Sequence, residues 1–170
     1  DAAARRLAER LGTEASLLVD LGCGSGASTA ALLRHVRDAR VVGIDASAGM
    51  LAQAQSKQWP AGVEFHHLPA QRLAELDLAP VDGVMAAYLL RNLNGSDRDR
   101  VLATILDGLR PGGWLVLQEY SVAGRRRAGL VWTLVCWLVV IPLSWLVRGS
   151  PRLYRYLWRS VRDFDSTAAL

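Results

Sequence analysis

The chain has 170 residues, room for one ordinary domain and not for two. With 51% hydrophobic and 21% charged residues it excludes wholesale disorder, and two cysteines without a CxxC pair argue against a disulfide framework or a thiolate zinc site. The net charge of +4 is uneven: residues 1–120 hold 12 basic and 14 acidic side chains, whereas residues 121–170 hold 8 Arg, 2 Asp and four of the six Trp, a pattern suited to a membrane surface or an acidic partner.

Residues 2–11 (AAARRLAERL) are good helix formers, with Leu7 and Leu11 one turn apart, and Gly12 ends the helix. This charged start is not a signal peptide, so the expected location is the cytosol. LLVDLG (17–22) is a short apolar run stopped by glycine and reads as a buried parallel strand. STAALLRHVRD (28–38) has helical spacing, VVGID (41–45) is a second strand and SAGMLAQAQSKQ (47–58) a second helix. VEFHHL (63–68) and VDGVMAAY (81–88) are the third and fourth strands. Ser96 and Asp99 read as a capping box, with Ser96 the N-cap of a helix carrying Val101, Leu102, Ile105, Leu106 and Leu109. Pro111-Gly112-Gly113 makes a turn, and WLVLQEY (114–120) is the fifth strand. Strands alternating with helices predict an α/β fold with a doubly wound, mostly parallel sheet.

After Tyr120 the character changes. Residues 128–147 carry no charge and lie between Arg125–Arg127 and Arg148. The stretch is long enough to span a bilayer, but Pro142 is expected to break or kink it. Residues 151–163 form a basic amphipathic helix, with Leu153, Tyr154, Leu157 and Val161 on one face and Arg152, Arg155, Arg159 and Arg162 mostly on the other. Two parts follow: a core over 1–127, and an apolar and basic helical segment over 128–170.

The sharpest motif is VDLGCGSGAS (19–28). Gly22, Gly24 and Gly26 sit between a strand and a helix, where backbone can approach a ligand and free helix N–H groups face an anion. Asp45 ends the second strand, where a carboxylate accepts hydrogen bonds from ribose hydroxyls. The G-x-G-x-G spacing lacks the two-residue spacer favoured by dinucleotide enzymes. Asp20, just ahead of the loop, would repel a pyrophosphate and favour an ammonium group. This combination favours S-adenosylmethionine over NAD; the bland alternative is a glycine turn without a ligand.

With LLVDLGCGSG and VVGIDASAGML, the chain resembles the class I S-adenosylmethionine-dependent methyltransferases, whose sheet is Rossmann-like. AAYLLRNL (86–93), LRPGGWLVLQEYS (109–121) and YRYLWRSVRDF (154–164) resemble, more narrowly, the C-methyltransferases of menaquinone and ubiquinone biosynthesis. The resemblance implies that Ser25 contacts the cofactor, Asp45 and Ala46 flank the ribose, and Met50 packs near the adenine. It also places Pro69-Ala70 beside the adenine and Ala87 near the methionine end. Pro69 lacks the acceptor and the N–H of the family residue, so that contact is expected to be lost, while the Ala70 N–H remains for a ring nitrogen. The family sheet has seven strands against five visible here. The chain opens with Asp1 and stops at Leu170 without a turn signal, so both ends read as cut, with the missing strands and a closing N-terminal segment outside them.

The resemblance implies a methyltransferase acting on a ring carbon of a prenylated quinol of the demethylmenaquinol type. Such chemistry needs no metal and depends on positioning. Arg91, Asn92 and Tyr120 are the candidate catalytic residues, with Glu119, on the rim where ligands bind in such sheets. His66 and His67 read as solvated flanks of a strand, and Cys23 as backbone only. The family places 128–147 as an apolar lid over the acceptor. Three placements stay open for it: lying on an anionic membrane surface at the inner face, spanning the membrane, or buried in the core. The rival functions are a methyltransferase for another lipid or aromatic metabolite, and a catalytically silent scaffold. A nucleic-acid substrate is disfavoured because the basic residues interleave with an uncharged stretch.

Overall fold

The computed structural model describes residues 2–12, 17–36, 38–78, 80–146 and 151–164. The chain divides into two compact units, Asp1–Gln118 and Glu119–Leu170, a boundary ahead of the composition change at 127/128.

In the first unit, five strands make one sheet: β1 (Leu17–Leu21), β2 (Arg40–Asp45), β3 (Val63–His67), β4 (Val81–Ala87) and β5 (Leu109–Gln118). All pairings are parallel, in the order β3-β2-β1-β4-β5. The helices are α1 (Ala2–Leu11), α2 (Ala27–His35), α3 (Ala48–Gln55) and α4 (Gly95–Gly108), with 3₁₀ turns at Ala70–Leu76 and Leu90–Asn92. The chain runs outward from β1 to β3, then returns to β4 on the other side of β1. That reversal opens a crevice at the carboxyl ends of β1 and β4.

Successive strand residues face opposite sides, so each face buries its own cluster. Leu18, Val41 and Met85 pack under α1 and α2 with Leu7, Leu11 and Leu32. Val19, Leu21, Val42, Ile44, Val84 and Ala86 pack with Val101 and Ile105 of α4. Gly83 lets α1 lie directly on the sheet: a Cβ there would sit 2.7 Å from Leu11 Cδ1 and 3.0 Å from Leu7 Cδ1. At the opposite end from the crevice, the buried Asp82 carboxylate ties two strands. Its Oδ2 accepts from Leu17 N (2.7 Å), and its Oδ1 pairs with Arg110 Nε (2.6 Å).

Two boundaries differ from the sequence reading. The N-cap of α4 is Asn94, not Ser96: Asn94 Oδ1 accepts from Asp97 N (2.8 Å) and also takes the Ser96 hydroxyl (2.8 Å), so the helix starts at Gly95. Strand β5 begins at Leu109, not Trp114. Val81 pairs with Leu109 and Gly83 with Trp114, so Pro111-Gly112-Gly113 is an irregular bulge inside the strand and not a turn before it. The strand also ends at Gln118, leaving Glu119 and Tyr120 beyond it.

In the second unit, α5 (Arg126–Val135) runs through a π-turn (Cys136–Val140) into α6 (Ile141–Leu146), and α7 (Pro151–Arg162) packs against this stretch. Pro142 does not break the helix as expected. The Ile141 N–H reaches back five residues to Cys136 O, and this wider turn precedes the ring that would otherwise clash with the preceding helical turn. Arg148 of the expected basic flank lies outside the described residues.

Candidate active site

The glycine loop leaves β1 at the crevice. Gly22 N and Cys23 N both donate to Ile44 O (2.8 and 3.1 Å), which folds the loop over the end of β2. Gly24 N donates to Asp45 Oδ2 and Ser47 N to Asp45 Oδ1, both at 2.8 Å. These bonds fix the Asp45 carboxylate while leaving each oxygen a second lone pair.

Two cavities flank the loop. The first, about 440 Å³, is lined by Gly22, Asp45, Ala46, Pro69, Ala70, Gln71 and Asn92, with apolar walls from Leu68, Leu89 and Leu93. The second, about 380 Å³, is lined by Gly22, Gly24, Ser25, Ser28 and Met50, by Gln118, and by Ala3 and Ala4 of α1. Gly22, Ala87 and Tyr88 line both. The predicted residues therefore gather in one crevice, with exceptions. Met50 lines the second cavity, not the one beside Pro69 and Ala70, because its Cε rests over Gly24. Gly26 lines neither. A Cβ there would sit 2.7 Å from the Trp59 ring, so this glycine makes room for packing and not for a ligand.

Asp20 is fully buried behind the loop. Its Oδ2 accepts from Ser28 Oγ (2.7 Å) and Thr29 Oγ1 (2.6 Å), while Oδ1 has no partner among the described residues. Burial is the main cause of its rise to a pKa of about 6, with Asp45 adding repulsion and the two hydroxyls opposing. Burial, then the charges of Asp20 and Asp45, pushes the Cys23 thiol up, so it stays protonated at neutral pH and is no nucleophile.

The catalytic candidates separate. Asn92 lines the first cavity, and its Nδ2 donates to Tyr88 O (3.0 Å). Arg91 lines neither cavity; its guanidinium carbon lies 5.2 Å from the centre of the Tyr88 ring. Tyr120 belongs to the second unit and is 58% exposed, because β5 ends two residues earlier. His67 is exposed, its Nε2 3.0 Å from Ala46 O, and His66 Nε2 lies 3.7 Å from Glu64 Oε2; neither lines either of these two cavities.

Two residues of the crevice escaped the sequence reading. Tyr88 adopts φ +60°, a left-handed conformation unusual for an aromatic residue, at the junction of the cavities. Gln118 Nε2 donates to the Tyr88 hydroxyl (2.5 Å), and Gln118 O accepts from Tyr88 N (2.8 Å). The available signal was position: Tyr88 directly follows the fourth strand at the switch point.

Residues 18–113 match the family model described as a methyltransferase domain. The chain is 33% identical over 154 residues to the demethylmenaquinone methyltransferase of Thermus thermophilus, covering 90% of this chain and 69% of that protein. It is 40% identical over 117 residues to the trans-aconitate 2-methyltransferase of Azoarcus sp., covering 68% of this chain and 44% of that one. Among solved structures it resembles the plantazolicin methyltransferase BpumL in complex with SAH (TM-score 0.63, 15% identity, 76% of this chain and 49% of that one). It also resembles SAM-bound CalS10, an amino pentose methyltransferase from Micromonospora echinaspora (TM-score 0.59, 26% identity, 70% and 50%). The chain thus spans about two thirds of one curated relative and about half or less of the other proteins named here. A family match over more than half the residues, a relative aligned along nearly the whole chain and the glycine-loop crevice agree, and the chain belongs to the class I S-adenosylmethionine-dependent methyltransferases.

Proposed function

We propose that the protein methylates a ring carbon of a prenylated quinol, of the demethylmenaquinol type, at the inner face of an anionic membrane. The observation that carries the methyl-transfer part is the pair of cavities meeting at Gly22, Ala87 and Tyr88 with the unpartnered Asp20 oxygen behind them. The residues fit S-adenosylmethionine. Asp20 Oδ1 is a buried acceptor without a partner among the described residues and suited to an ammonium group, Asp45 is fixed and has spare lone pairs, and Leu68, Leu89 and Leu93 offer apolar walls for a flat ring. When bound, that group supplies an electrophilic methyl carried on a sulfonium.

The chain's own residues do the rest by positioning. Asp45 orients ribose hydroxyls, with Ala46 beside it. Pro69 and Ala70 line the first cavity, where the Ala70 N–H would be the group available to a ring nitrogen. Gly22, Gly24 and Ser25 keep the methionine side open, with Met50 and Ala87 as its walls. Tyr88, braced by Gln118, lies at the junction of the two cavities, where donor and acceptor would meet, and Arg91, over the Tyr88 ring, would add positive charge behind it. Asn92 holds the Tyr88 backbone.

The quinol assignment rests on the relative matched along 90% of the chain and on the exposed apolar helix of the second unit, a surface suited to an isoprenoid tail. A second reading follows from the higher identity to a trans-aconitate methyltransferase over a shorter span: a small carboxylate acceptor. Methyl transfer assayed in detergent micelles separates the two. Turnover with demethylmenaquinol and none with trans-aconitate is expected; the reverse would overturn the quinol reading. Calorimetry with S-adenosylmethionine showing no heat would leave only a silent scaffold.

A further inference from the structure

The second unit carries a further cavity. It measures about 370 Å³ and is lined by Trp137, Arg152, Arg155, Tyr156, Trp158 and Arg159. The three arginines recur at helical spacing along one side of α7. All three are exposed, and among the described residues no carboxylate pairs with them. The aromatic wall is held in place. Trp158 Nε1 donates to Thr133 Oγ1 (3.1 Å), Trp132 Nε1 donates to Trp158 O (3.3 Å), and Trp137 meets Trp158 edge-on at 5.7 Å. Guanidinium forks match phosphate oxygens, and indoles favour the boundary between apolar and polar layers.

The neighbouring helix supplies the setting. Leu130, Val131, Leu138, Val139 and Leu143 are each more than half exposed, Leu138 at 71%. Such a contiguous apolar surface marks an interaction site. Residues Arg127–Ser144 are long and apolar enough to cross a membrane, by length and composition. Yet Trp137 lies near the middle of that stretch, and the arginines lie beside Trp137 in one cavity. A crossing helix would carry them to the bilayer centre, the most costly depth for a charge. A helix lying in the interface keeps them at headgroup depth while its apolar side is buried.

We propose that this cavity binds the phosphate of an anionic phospholipid headgroup and thereby seats the helix 126–146 in the membrane surface. The proposal deepens the reading of a membrane-borne acceptor and rests on it. Charge complementarity selects the occupant: three guanidiniums without a carboxylate partner among the described residues, with an apolar surface next to them for the acyl chains.

The test is sedimentation of the full chain with vesicles of neutral galactolipid, doped with phosphatidylglycerol or, at equal charge, with oleate. Phosphatidylglycerol vesicles should bind about tenfold more tightly than oleate vesicles, since a tetrahedral phosphodiester with glycerol hydroxyls beside it projects from the surface into a cavity with three guanidiniums, whereas a planar carboxylate lies closer to the acyl layer. The double variant Arg155→Gln/Arg159→Gln should lose about tenfold and with it the preference. Arg125→Gln/Arg127→Gln, which removes equal charge outside the cavity, should lose less than about threefold. Equal losses from both pairs, or no loss from the first, would overturn the proposal. So would quenching of tryptophan fluorescence by inorganic phosphate as tight as that by the lipid, which would mark a free-phosphate site. Transfer to demethylmenaquinol in micelles reads the acceptor separately. Transfer that persists without vesicle binding counts against the headgroup site alone. Selective vesicle binding without transfer supports the site and counts against the acceptor.

Discussion

Asp20 is the residue on which the site turns. Its folded pKa of about 6 lies above the ordinary 3.8 of the unfolded carboxyl. Between those values the folded state holds the extra proton, so stability falls as pH rises from about 4 to about 6 and levels off above. The cost is roughly 2–3 kcal/mol for a shift of this size. Asp20→Asn should flatten that slope in thermal unfolding and raise the melting temperature of the ligand-free protein above pH 6. It should also weaken S-adenosylmethionine binding by about tenfold or more in calorimetry, because a charge-assisted bond is lost. In the unaltered protein the cofactor should bind more tightly as pH rises toward 6, since only the ionised carboxylate attracts an ammonium. At the cavity junction, Tyr88→Phe should lower kcat/KM about tenfold while cofactor affinity changes less than about threefold, as expected for one lost positioning hydrogen bond. The residues whose place was legible in the sequence, Asp20, Gly22, Gly24 and Asp45, are those whose positions follow from strand–loop–helix order. Tyr88 and Gln118 were hidden for a physical reason. Nothing in a tyrosine side chain announces a positive φ, and the bulge at Pro111–Gly113 decides which residue ends β5.

At the scale of elements, helix α1 depends on a missing methyl group. Gly83→Ala would drive a Cβ into Leu11 and Leu7, and urea denaturation should show a loss of about 1–3 kcal/mol from overpacking. The start of α4 gives a paired test of the cap. Asn94→Ala should cost about 1 kcal/mol and Ser96→Ala only a few tenths, the reverse of what the S-x-x-D pattern suggests. That pattern misled because two cap-forming residues stand close together, and Asn94, accepting from the N–H of Asp97, starts the helix before Ser96 can cap it at Asp99. The strands themselves were legible, to within a residue or two for four of them, because three are short apolar runs and β3 an alternating one, bounded by glycine, proline or charge. β5 was not, since Pro111-Gly112-Gly113 looks like a terminator and is accommodated inside the ladder.

For the whole molecule, the charge imbalance of the sequence maps onto the two units, with the basic, tryptophan-rich share in Glu119–Leu170. If that unit meets an anionic bilayer, raising salt should release part of the vesicle-bound protein by screening the arginines, while detergent completes the release. Complete release by salt alone would show that the apolar residues of 126–146 stay out of the lipid. The sequence announced an apolar stretch with a proline in it, but not how the chain absorbs that proline. The π-turn has a lasting effect on everything downstream. One surplus residue sets the azimuth of Ile141 and Ser144, both buried. Wound at the ordinary pitch, the same residues would swing the distal half of the rod by about 100° and pry those two side chains from shelter; deleting one residue from 136–140 would instead leave both where they are, because the wide turn rotates about as far as an ordinary turn one residue shorter.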